Sequence, residues 1–353
     1  MTIRLQILRT RYPHWGRHTG MHQFLRHLPP DRYTIDEFLV NDGDEDFPLA
    51  APWVRGPLRK LVQRKGMAWY QLSDLAAEFR VTLKAAAGRI NLLHYLDGEH
   101  SAQYFPRWKR AGSLGRARVI SSFHQPAHLL PSLLRREVVT RLDAVTLVSP
   151  TQRSFFEDLL PAERIAVILH GIDTDFFRPA QSLKGEEPFR CLTVGHYLRD
   201  YDAIGRVAER FSKDPSIRFV VVSARTTGLE QRANVEHHRG INDEELLRLY
   251  QSADTLLLPL TESTANNALL EGIACGLPVI STALPSVRTY LPGEEAILLE
   301  QNDPDLLSKA VLQLRDDRAG RERRARLARQ RAEELAWPRI APQFDRLYRG
   351  ILA

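Results

Sequence analysis

The segment ESTANNALLEGIACGLPVIST, residues 262–282, predicts a short helix followed directly by a strand. Thr264 is a suitable N-cap residue, and Gly276 stands where a helix end needs a left-handed residue. Pro278 prevents the helix from continuing. The sequence therefore predicts a helix over 265–275 and a buried strand from PVIST, one helix-to-strand step of an α/β domain.

Glu271 is the unusual residue of this segment, because apolar neighbours such as Leu270 make a carboxylate costly unless something pairs with it. Asn267 lies four residues earlier and shares its helix face. The N–H groups of Ala265, Asn266 and Asn267 suit a phosphate, and a carboxylate one turn deeper could accept two ribose hydroxyls. The segment fits either a nucleotide-diphosphate site or a plain helix with a solvated glutamate.

The composition is that of an ordinary globular protein of two domains, with 353 residues and 43% hydrophobic residues. No apolar run reaches the roughly 18 residues of a membrane span, and the N-terminus lacks the features of a signal peptide. Cys191 and Cys275 form neither a disulfide framework nor a metal-binding spacing. These features predict a cytoplasmic, reduced protein.

Strand-length apolar runs alternate with amphipathic stretches along the whole chain, which indicates parallel sheets. A Pro-flanked, polar segment at 179–188 predicts a linker, after which the alternation restarts. We therefore predict an α/β fold of two Rossmann-like, doubly wound domains. Ligands of such domains bind beyond the carboxyl ends of the strands, so the cleft between the domains is the expected active site.

The net charge of +6 belongs to the first half of the chain. Residues 1–179 carry 25 Lys and Arg against 18 Asp and Glu, hence +7, and the remainder carries 24 against 25, hence −1. Five basic residues cluster just before aromatic ones: Arg55, Arg59, Lys60, Arg64 and Lys65. Such a segment suits an anionic membrane surface or a solvated helix, and no basic-aromatic motif for nucleic acid is present.

Several blocks resemble the large retaining glycosyltransferase family of the GT-B fold (group 1, family 4-like). LLEGIACGLPVIST, at 269–282, is similar to that family's donor-site pattern LEAMACGLPV. The other blocks follow in the family's order: VSPTQRSFF, IAVILHGIDTDFFRP with His170 in place of the usual Asn, LTVGHYLRD, and NVEHHRGINDEELLRLYQSADTLLLP. The resemblance covers the second half of the chain closely and the first half loosely.

This resemblance implies an N-terminal acceptor domain at 1–180, joined by the helix at 338–353, and a donor domain at 181–337. It implies a UDP- or GDP-sugar donor, no cofactor and no metal. The implied donor-binding residues are Gly16, Gly20, Gly195, His196, Arg199, Arg239, Gly240, Ile241, Ser263, Ala265, Asn266, Asn267 and Glu271. Gly16 and Gly20 suit a simple strand-to-helix turn equally well.

Two departures from the family pattern leave alternatives open. The family's first glutamate falls on Ser263 here, so either Glu262 takes its role from a shifted loop or Asn266 and backbone groups bind the donor sugar. The family's Arg and Lys pair is reduced to Arg199 with His196. Arg199 could bind the diphosphate in bidentate fashion or could pair on the surface with a neighbouring aspartate.

The predicted catalytic residues are His124, Arg199 and Glu262. Arg199 and the helix N-terminus would stabilise the leaving diphosphate. His124, which resembles the family's N-domain histidine, could position or polarise the acceptor or could be structural. His18, Arg59 and Lys60 are predicted to contact the acceptor, which is a glycan, a lipid-linked compound or a small molecule.

Three functions are compatible with this sequence. The first is a retaining hexosyltransferase of bacterial glycan or glycolipid synthesis, cytoplasmic or peripheral on the inner face of the cell membrane. The second is a nucleotide-sugar epimerase on the same scaffold, against which the retaining-family blocks count. The third is a non-catalytic sugar-nucleotide-binding protein, which the missing glutamate and lysine favour.

Overall fold

The computed structural model describes residues 2–12, 16–49, 51–110, 117–180 and 188–353, so most of the predicted linker lies outside the described residues. The chain forms two compact units. Unit 1 comprises Met1–Trp15, Phe24–Leu169 and Ile340–Ala353, and unit 2 comprises Gly16–Gln23 and His170–Arg339. The domain bounds expected from the resemblance stay a prediction.

Unit 1 contains a six-stranded sheet whose described strand pairs are all parallel. Its first strand buries four residues in succession, the apolar Leu5, Ile7 and Leu8 and the polar Gln6, as expected of a sheet covered on both faces. The order is β2-β1-β3-β4-β5-β6. The strands are β1 Ile3–Arg11, β2 Tyr33–Asn41, β3 Leu92–Tyr95, β4 Arg118–Phe123, β5 Ala144–Leu147 and β6 Ile165–Val167.

The helices of unit 1 are mostly short. They are α1 Pro52–Val62, α2 Leu72–Ala86, α3 Gly98–Ser101, α4 Phe105–Arg110, α5 Leu130–Leu133, α6 Arg136–Val139 and α7 Arg153–Glu157. Helix α2 is fixed to the core by the buried carboxylate of Glu78, which accepts hydrogen bonds from the hydroxyls of Tyr70 and Tyr95 at 3.0 and 2.9 Å. The backbone N–H groups of Tyr104 and Phe105 also donate to it.

Unit 2 contains a second parallel six-stranded sheet, in the order β12-β11-β10-β7-β8-β9. Its strands are β7 Phe189–Val194, β8 Ile217–Val222, β9 Val235–His238, β10 Thr255–Leu258, β11 Val279–Thr282 and β12 Ala296–Leu299. Strands β10 and β7 lie at the centre, with β11 and β8 on either side. The loops that follow these central strands therefore leave the sheet side by side.

The helices of unit 2 are α8 Tyr201–Arg210, α9 Asp243–Ser252, α10 Asn267–Ala274, α11 Pro285–Tyr290, α12 Pro304–Asp316 and α13 Arg318–Glu334. A last helix, α14 Trp337–Leu352, begins in unit 2, and its residues from Ile340 onward belong to unit 1. Three 3-10 segments complete the described elements: Met21–His27, Pro150–Gln152 and Ala162–Arg164. Within the described ranges, no helix combines the length and apolar character needed to cross a bilayer.

The predicted α/β class of two parallel-sheet domains is confirmed. Ten strand-length apolar runs of the sequence correspond to β1–β8, β10 and β11, with ends that differ by at most two residues. These runs are IRLQILR, TIDEFLV, INLLHYL, ARVISSF, AVTLVS, RIAVIL, FRCLTVG, IRFVVVSA, TLLLPL and PVIST. The sequence did not predict β9, VEHH, or β12, AILL, as strands. Both are four-residue edge strands, and short edges carry a weak periodic signal.

Candidate functional site

Two loops at the carboxyl edge of the unit 2 sheet lie against each other. One follows β7 and the other follows β10. The N–H of Asp200 donates to the Pro259 carbonyl at 3.0 Å, and the N–H of Thr261 donates to the Leu198 carbonyl at 3.1 Å. This contact brings Arg199 beside the loop that leads into α10, the position where doubly wound domains bind ligands.

Helix α10 begins at Asn267, two residues later than predicted, so the N-cap assignment to Thr264 was wrong. The cap is Asn266, whose backbone is extended, with φ −135° and ψ 110°. Its side-chain Oδ1 accepts a hydrogen bond from Leu269 N at 3.2 Å. The amide side chain of Asn266 therefore satisfies an N–H group that the helix cannot, which is the role of an N-cap.

The shifted start changes which N–H groups the helix offers to a ligand. Ala265 lies before the helix, and Leu270 N already donates to the Asn266 carbonyl. The N–H groups of Asn267 and Ala268 make no hydrogen bond with described residues. These two groups, rather than those of residues 265 to 267, form the electropositive start of α10.

The guanidinium of Arg199 is held over this helix start by neutral oxygens. Its Nη2 donates to Asn266 Oδ1 at 3.1 Å, its Nε to the Val194 carbonyl at 3.1 Å and its Nη1 to the Tyr197 carbonyl at 2.6 Å. Among the described residues, no carboxylate lies within 4 Å of it. Burial lowers the pKa of Arg199, and the charge of Glu271, which acts in the opposite direction, offsets this only in part.

The alternative in which Arg199 pairs with a neighbouring aspartate was wrong. The Oδ1 of Asp200 caps α8 by accepting a hydrogen bond from Ala203 N at 2.9 Å, and its Oδ2 accepts one from Asn302 at 3.1 Å. Arg199 thus forms no ion pair with a described carboxylate, and its guanidinium is directed at a helix N-terminus. A phosphate bound there would supply the missing charge.

A tight turn makes this position of Arg199 possible. Gly195 has φ +87° and Leu198 has φ +60°, both in the left-handed region. A Cβ added to Gly195 would lie 2.9 Å from Nη2 of Arg199. Gly195 is therefore required both for its backbone conformation and for the close approach of the guanidinium.

Gly195→Ala is expected to lower the free energy of unfolding by about 2 kcal/mol, because a side chain in the left-handed region is strained and the new methyl displaces Arg199. Gly228→Ala is the matched control: Gly228 has φ +78° and no atom within 4 Å of an added Cβ, so only the backbone term applies. Denaturant unfolding measures both. Equal losses in the two variants would contradict the proposed contact with Arg199.

The carboxylate of Glu271, which is costly among apolar neighbours, is paired with two hydroxyl groups. It is 3% exposed. Its Oε1 accepts a hydrogen bond from Thr19 Oγ1 at 2.9 Å, and its Oε2 accepts one from the Tyr250 hydroxyl at 2.8 Å. Burial raises the pKa of Glu271 above the usual glutamate value, while the two hydroxyls act in the opposite direction.

Thr19 reaches Glu271 because the segment Gly16–Gln23 belongs to unit 2. The N–H of Arg17 donates to Asp243 Oδ2 at 2.6 Å, and a Cβ on Gly16 would overlap the same carboxylate. Gly16 therefore allows the backbone to approach a carboxylate, a role that the sequence did not indicate.

His18 is held within the same segment. Its Nδ1 lies 2.8 Å from Asp173 Oδ2, and its ring stacks on Phe176 with centroids 3.7 Å apart. Gly20, with φ +106°, closes the turn. The acceptor contact predicted for His18 stays a prediction, but the structure shows that one face of its ring and one nitrogen are occupied.

Tyr250→Phe is expected to lower the free energy of unfolding by about 1–2 kcal/mol at neutral pH, because Glu271 loses a donor while it remains buried. Losing this bond raises the pKa of Glu271 further, so the loss should shrink as the pH falls and the carboxyl becomes protonated. Denaturant unfolding across pH measures this. In a Glu271→Gln background the same substitution should cost less, and an equal cost in both backgrounds would contradict the pairing.

The remaining predicted donor residues lie in three loops of unit 2. His196 is in the turn after β7, and Glu262 and Ser263 are in the loop before α10. Gly240, with φ +61°, and Ile241 follow β9. No contact brings this last pair to Glu271 among the described residues, and the roles of all five residues stay predictions.

Arg239 also lies after β9, but its guanidinium is already engaged. Its Nη2 is 2.7 Å from Glu230 Oε1. Hydrogen bonds from the backbone of Thr227, with the nearby Arg239, hold the pKa of Glu230 at about 2. A nucleotide at this position would have to share Arg239 with Glu230.

His124 lies at the end of β4 in unit 1. Its Nε2 donates to the Leu96 carbonyl at 2.7 Å, and its backbone N–H donates to Glu99 Oε1 at 2.5 Å. Asp97 likewise accepts the N–H of Thr10 at 2.8 Å. These carboxylates serve backbone groups at the carboxyl edge of the sheet, and the protonated Nε2 fixes the orientation of the His124 ring.

The two acceptor candidates on α1 differ in environment. Arg59 forms an ion pair with Asp44, whereas Lys60 is exposed and has no carboxylate within 4 Å among the described residues. No group of three or more His, Cys, Asp or Glu side chains in the described ranges is arranged to hold a metal ion.

The sequence did not lead us to predict four residues of the site: Thr19, Asp173, Asp243 and Tyr250. Tyr250 and Asp173 lie inside the quoted blocks LLRLYQSAD and HGIDTDFF, so the blocks contained a signal for them. Asp243 also lies inside a quoted block, NVEHHRGINDEELLRLYQSADTLLLP, whereas Thr19 carried no signal, because its contact with Glu271 joins positions 252 residues apart.

Comparison with known proteins identifies the family that the site-bearing part of the chain resembles. Residues 191–317, which contain Arg199, Tyr250 and Glu271, match the family model "Glycosyl transferases group 1". This part of the chain is therefore similar to the group 1 glycosyltransferases. The prediction of the family is thereby confirmed, whereas the retaining stereochemistry stays a prediction.

The curated relatives include the D-inositol 3-phosphate glycosyltransferase of Paenarthrobacter aurescens, 32% identical over 203 residues, which are 51% of this chain and 50% of that protein. The Corynebacterium diphtheriae enzyme of the same name is 23% identical over 217 residues, 53% of this chain and 50% of that protein. The chain thus spans about half the length of the curated relatives that it matches.

Solved structures show the same fold over nearly the whole chain. Sucrose-phosphate synthase from Thermosynechococcus elongatus has a TM-score of 0.72 at 17% identity and covers 98% of both chains. Anabaena HepE, in complex with UDP and glucose, has a TM-score of 0.66 at 15% identity and covers 97% of this chain and 99% of that one. The protein therefore has the GT-B fold, as the sequence predicted.

Proposed function

We propose that this protein is a retaining glycosyltransferase that moves a hexose from a UDP- or GDP-sugar to a hydroxyl of a glycan, a glycolipid or a small molecule. The observation that carries the proposal is the combination of Arg199 and Glu271 at α10. One is a cation at the helix start that forms no ion pair with a described residue, and the other is a buried carboxylate that accepts two hydroxyl hydrogen bonds one turn deeper.

This combination suits a nucleoside diphosphate. The diphosphate would contact Arg199 and the N–H groups of Asn267 and Ala268. A ribose hydroxyl would replace the Thr19 hydroxyl on Glu271 Oε1, while Tyr250 continues to hold Oε2. The complex of HepE with UDP and glucose, on the same fold, supports a nucleotide of this kind.

The chemical step follows from the charges. As the bond between the sugar and the phosphate breaks, negative charge grows on the leaving diphosphate. Arg199 and the start of α10 already face that position, so they stabilise the transition state more than the ground state. The acceptor hydroxyl would attack from the same face, which retains the anomeric configuration, and this pathway requires no metal.

The proposal includes two further roles, one in acceptor binding and one in donor-sugar binding. His124, held by Leu96, would orient the acceptor, and Glu262 or Asn266 would bind the donor sugar. Cys191 and Cys275 are buried thiols that form no disulfide, which supports a reducing, cytoplasmic location.

Calorimetry and thermal unfolding with UDP, GDP, ADP and their hexose conjugates test the proposal. One nucleotide at about 100 times its Kd should add about 2.7 kcal/mol to the free energy of unfolding. With that donor and a library of hydroxyl acceptors, NMR should show a new glycosidic bond of unchanged anomeric configuration. Binding without transfer or hydrolysis would leave a non-catalytic binding protein, a changed sugar without transfer would indicate an epimerase, and no binding would refute the site.

A further inference from the structure

We propose that one face of unit 1 docks on a bilayer surface that carries anionic lipid headgroups. This docking face consists of the exposed sides of α1 and α2, the chain at 47–49 and the two residues 64–65 that follow α1. Its apolar members are Leu49, Trp53, Leu61, Phe79 and Leu83, and its basic members are Lys60, Arg64 and Lys65. The inference is independent of the proposed donor chemistry, because it depends only on the surface of unit 1.

Helix α1 directs its large apolar residues outward. Trp53 is 80% exposed and Leu61 is 70% exposed, and none of the helix residues is buried. Positions 53, 57 and 61 are four apart, so Trp53, Pro57 and Leu61 lie along one stripe. A water-soluble helix normally turns such a stripe toward the core, and here it faces solvent.

Helix α2 adds a second stripe of the same kind. Leu75, Phe79 and Leu83 are also spaced by four, and the side chains of Phe79 and Leu83 are 56% and 55% exposed. An open apolar groove runs along this side of α2. Its lining residues are Phe47, Pro48, Leu75, Ala76, Phe79, Arg80 and Trp108.

The two stripes are joined through the chain that precedes α1. Nε of Arg55 donates to the Leu49 carbonyl at 2.7 Å, and Nη2 donates to the Phe47 carbonyl at 3.4 Å. Phe47 lines the groove, and Leu49 is 52% exposed. The ion pair of Arg59 with Asp44 fixes the other side of the helix.

The concentration of exposed apolar residues in this region indicates a function. Seven large hydrophobic residues are exposed among the described residues, and five of them belong to the docking face. The other two, Tyr197 and Leu306, lie in unit 2. Single exposed apolar residues are ordinary, but a contiguous set marks an interaction surface.

The charges select the partner. Of the five basic residues in this segment, Arg55 and Arg59 are engaged within unit 1. Lys60, Arg64 and Lys65 are exposed and have no carboxylate within 4 Å among the described residues. An apolar protein surface would bury these charges unpaired, whereas lipid phosphates can compensate them while the adjacent apolar stripe enters the acyl boundary. Tryptophan prefers this interfacial depth.

Vesicle binding by the full chain tests the proposal. Co-sedimentation and tryptophan fluorescence are measured with phosphatidylcholine vesicles and with vesicles that contain about one third phosphatidylglycerol, at physiological ionic strength. We expect binding to the anionic vesicles only. We also expect a blue shift of the Trp53 emission and its quenching by brominated acyl chains, both of which require insertion of the ring.

Two sets of variants separate charge from insertion. Removing three charges with Lys60→Gln, Arg64→Gln and Lys65→Gln should weaken binding by about a hundredfold. Trp53→Ser with Leu61→Ser should weaken it by about tenfold or more and abolish the blue shift. Both sets change exposed residues, so thermal unfolding should match that of the wild type.

The matched controls lie in unit 2. Arg206→Gln, Lys213→Gln and Lys309→Gln remove the same charge from exposed positions, and Leu306→Ser removes an exposed leucine. Neither control should change binding by more than about twofold. An equal loss in the charge control would reduce the effect to net charge and overturn the docking face. Absence of vesicle binding would also overturn the docking face. The same holds if the wild type binds no vesicles but forms a dimer that Leu61→Ser dissociates.

Discussion

Arg199→Ala should lower the turnover number of sugar transfer by about 10²–10³-fold, the effect of removing one preorganised donor from a developing oxyanion. Arg199 is directed at the start of α10 by three neutral oxygens and has no carboxylate partner within 4 Å among the described residues. Its full charge is therefore available to the leaving diphosphate. Steady-state kinetics with saturating donor measures the effect.

The lysine variant refines this prediction. Arg199→Lys keeps a positive charge but loses the planar fork that matches phosphate, so we expect it to recover only part of the lost rate. Arg206→Ala, on the exposed side of α8, is the control and should retain full activity. If Arg199→Ala raised only the KM for the donor and left the turnover number unchanged, Arg199 would bind the ground state and the transition state equally and would not stabilise the transition state selectively.

Glu271→Gln should weaken nucleotide binding by about tenfold to a hundredfold, because hydrogen bonds to a charged group contribute about 1.5–3 kcal/mol. Glutamine has the same shape but only one acceptor oxygen. It cannot hold Tyr250 and also accept a ribose hydroxyl as the carboxylate does. Isothermal calorimetry with the preferred nucleoside diphosphate measures the loss.

The same variant should be at least as stable as the wild type in the absence of nucleotide. Burial raises the pKa of Glu271, so protonation stabilises the folded state at low pH, and this contribution is lost as the pH rises through the raised pKa. Glutamine is neutral at every pH, so the stability of the variant relative to the wild type should increase from acidic to neutral pH. Denaturant unfolding at several pH values measures this.

The control for these measurements is Glu244→Gln, on the exposed side of α9, which should change neither binding nor the pH dependence. A Glu271→Gln protein that unfolds more easily but binds nucleotide normally would reverse the interpretation. Glu271 would then be a structural carboxylate that joins Thr19 to Tyr250.

The segment 262–282 shows which features of helix α10 can be predicted from neighbouring residues alone. Gly276 ends α10 with φ +73°, as predicted, because only the residues next to it determine that a left-handed cap is needed. The start of α10 was placed wrongly because both Thr264 and Asn266 are good caps. The adjacent β7 turn decides between them, since Arg199 bonds to the same Asn266 oxygen that caps the helix.

The basic segment at 55–65 also shows what the sequence alone does not decide. Its composition suits a membrane surface or a solvated helix, and periodicity alone does not separate them. The structure separates the five basic residues into two that are engaged within unit 1, Arg55 and Arg59, and three that have no carboxylate partner among the described residues. These three lie beside an apolar stripe that the described part of unit 1 leaves exposed.

The sequence by itself determined the α/β class, ten of the described strands and the resemblance to the group 1 family, and it indicated Arg199 and Glu271 as candidate site residues. These depend on short-range patterns: apolar alternation, turn residues and blocks of adjacent letters. Only the tertiary structure decided what Glu271 holds. Thr19, Tyr250 and Glu271 meet because the segment Gly16–Gln23 joins unit 2, a contact across 252 positions between Thr19 and Glu271. A local pattern cannot encode such a contact, because it forms only when the sheet and its loops are assembled.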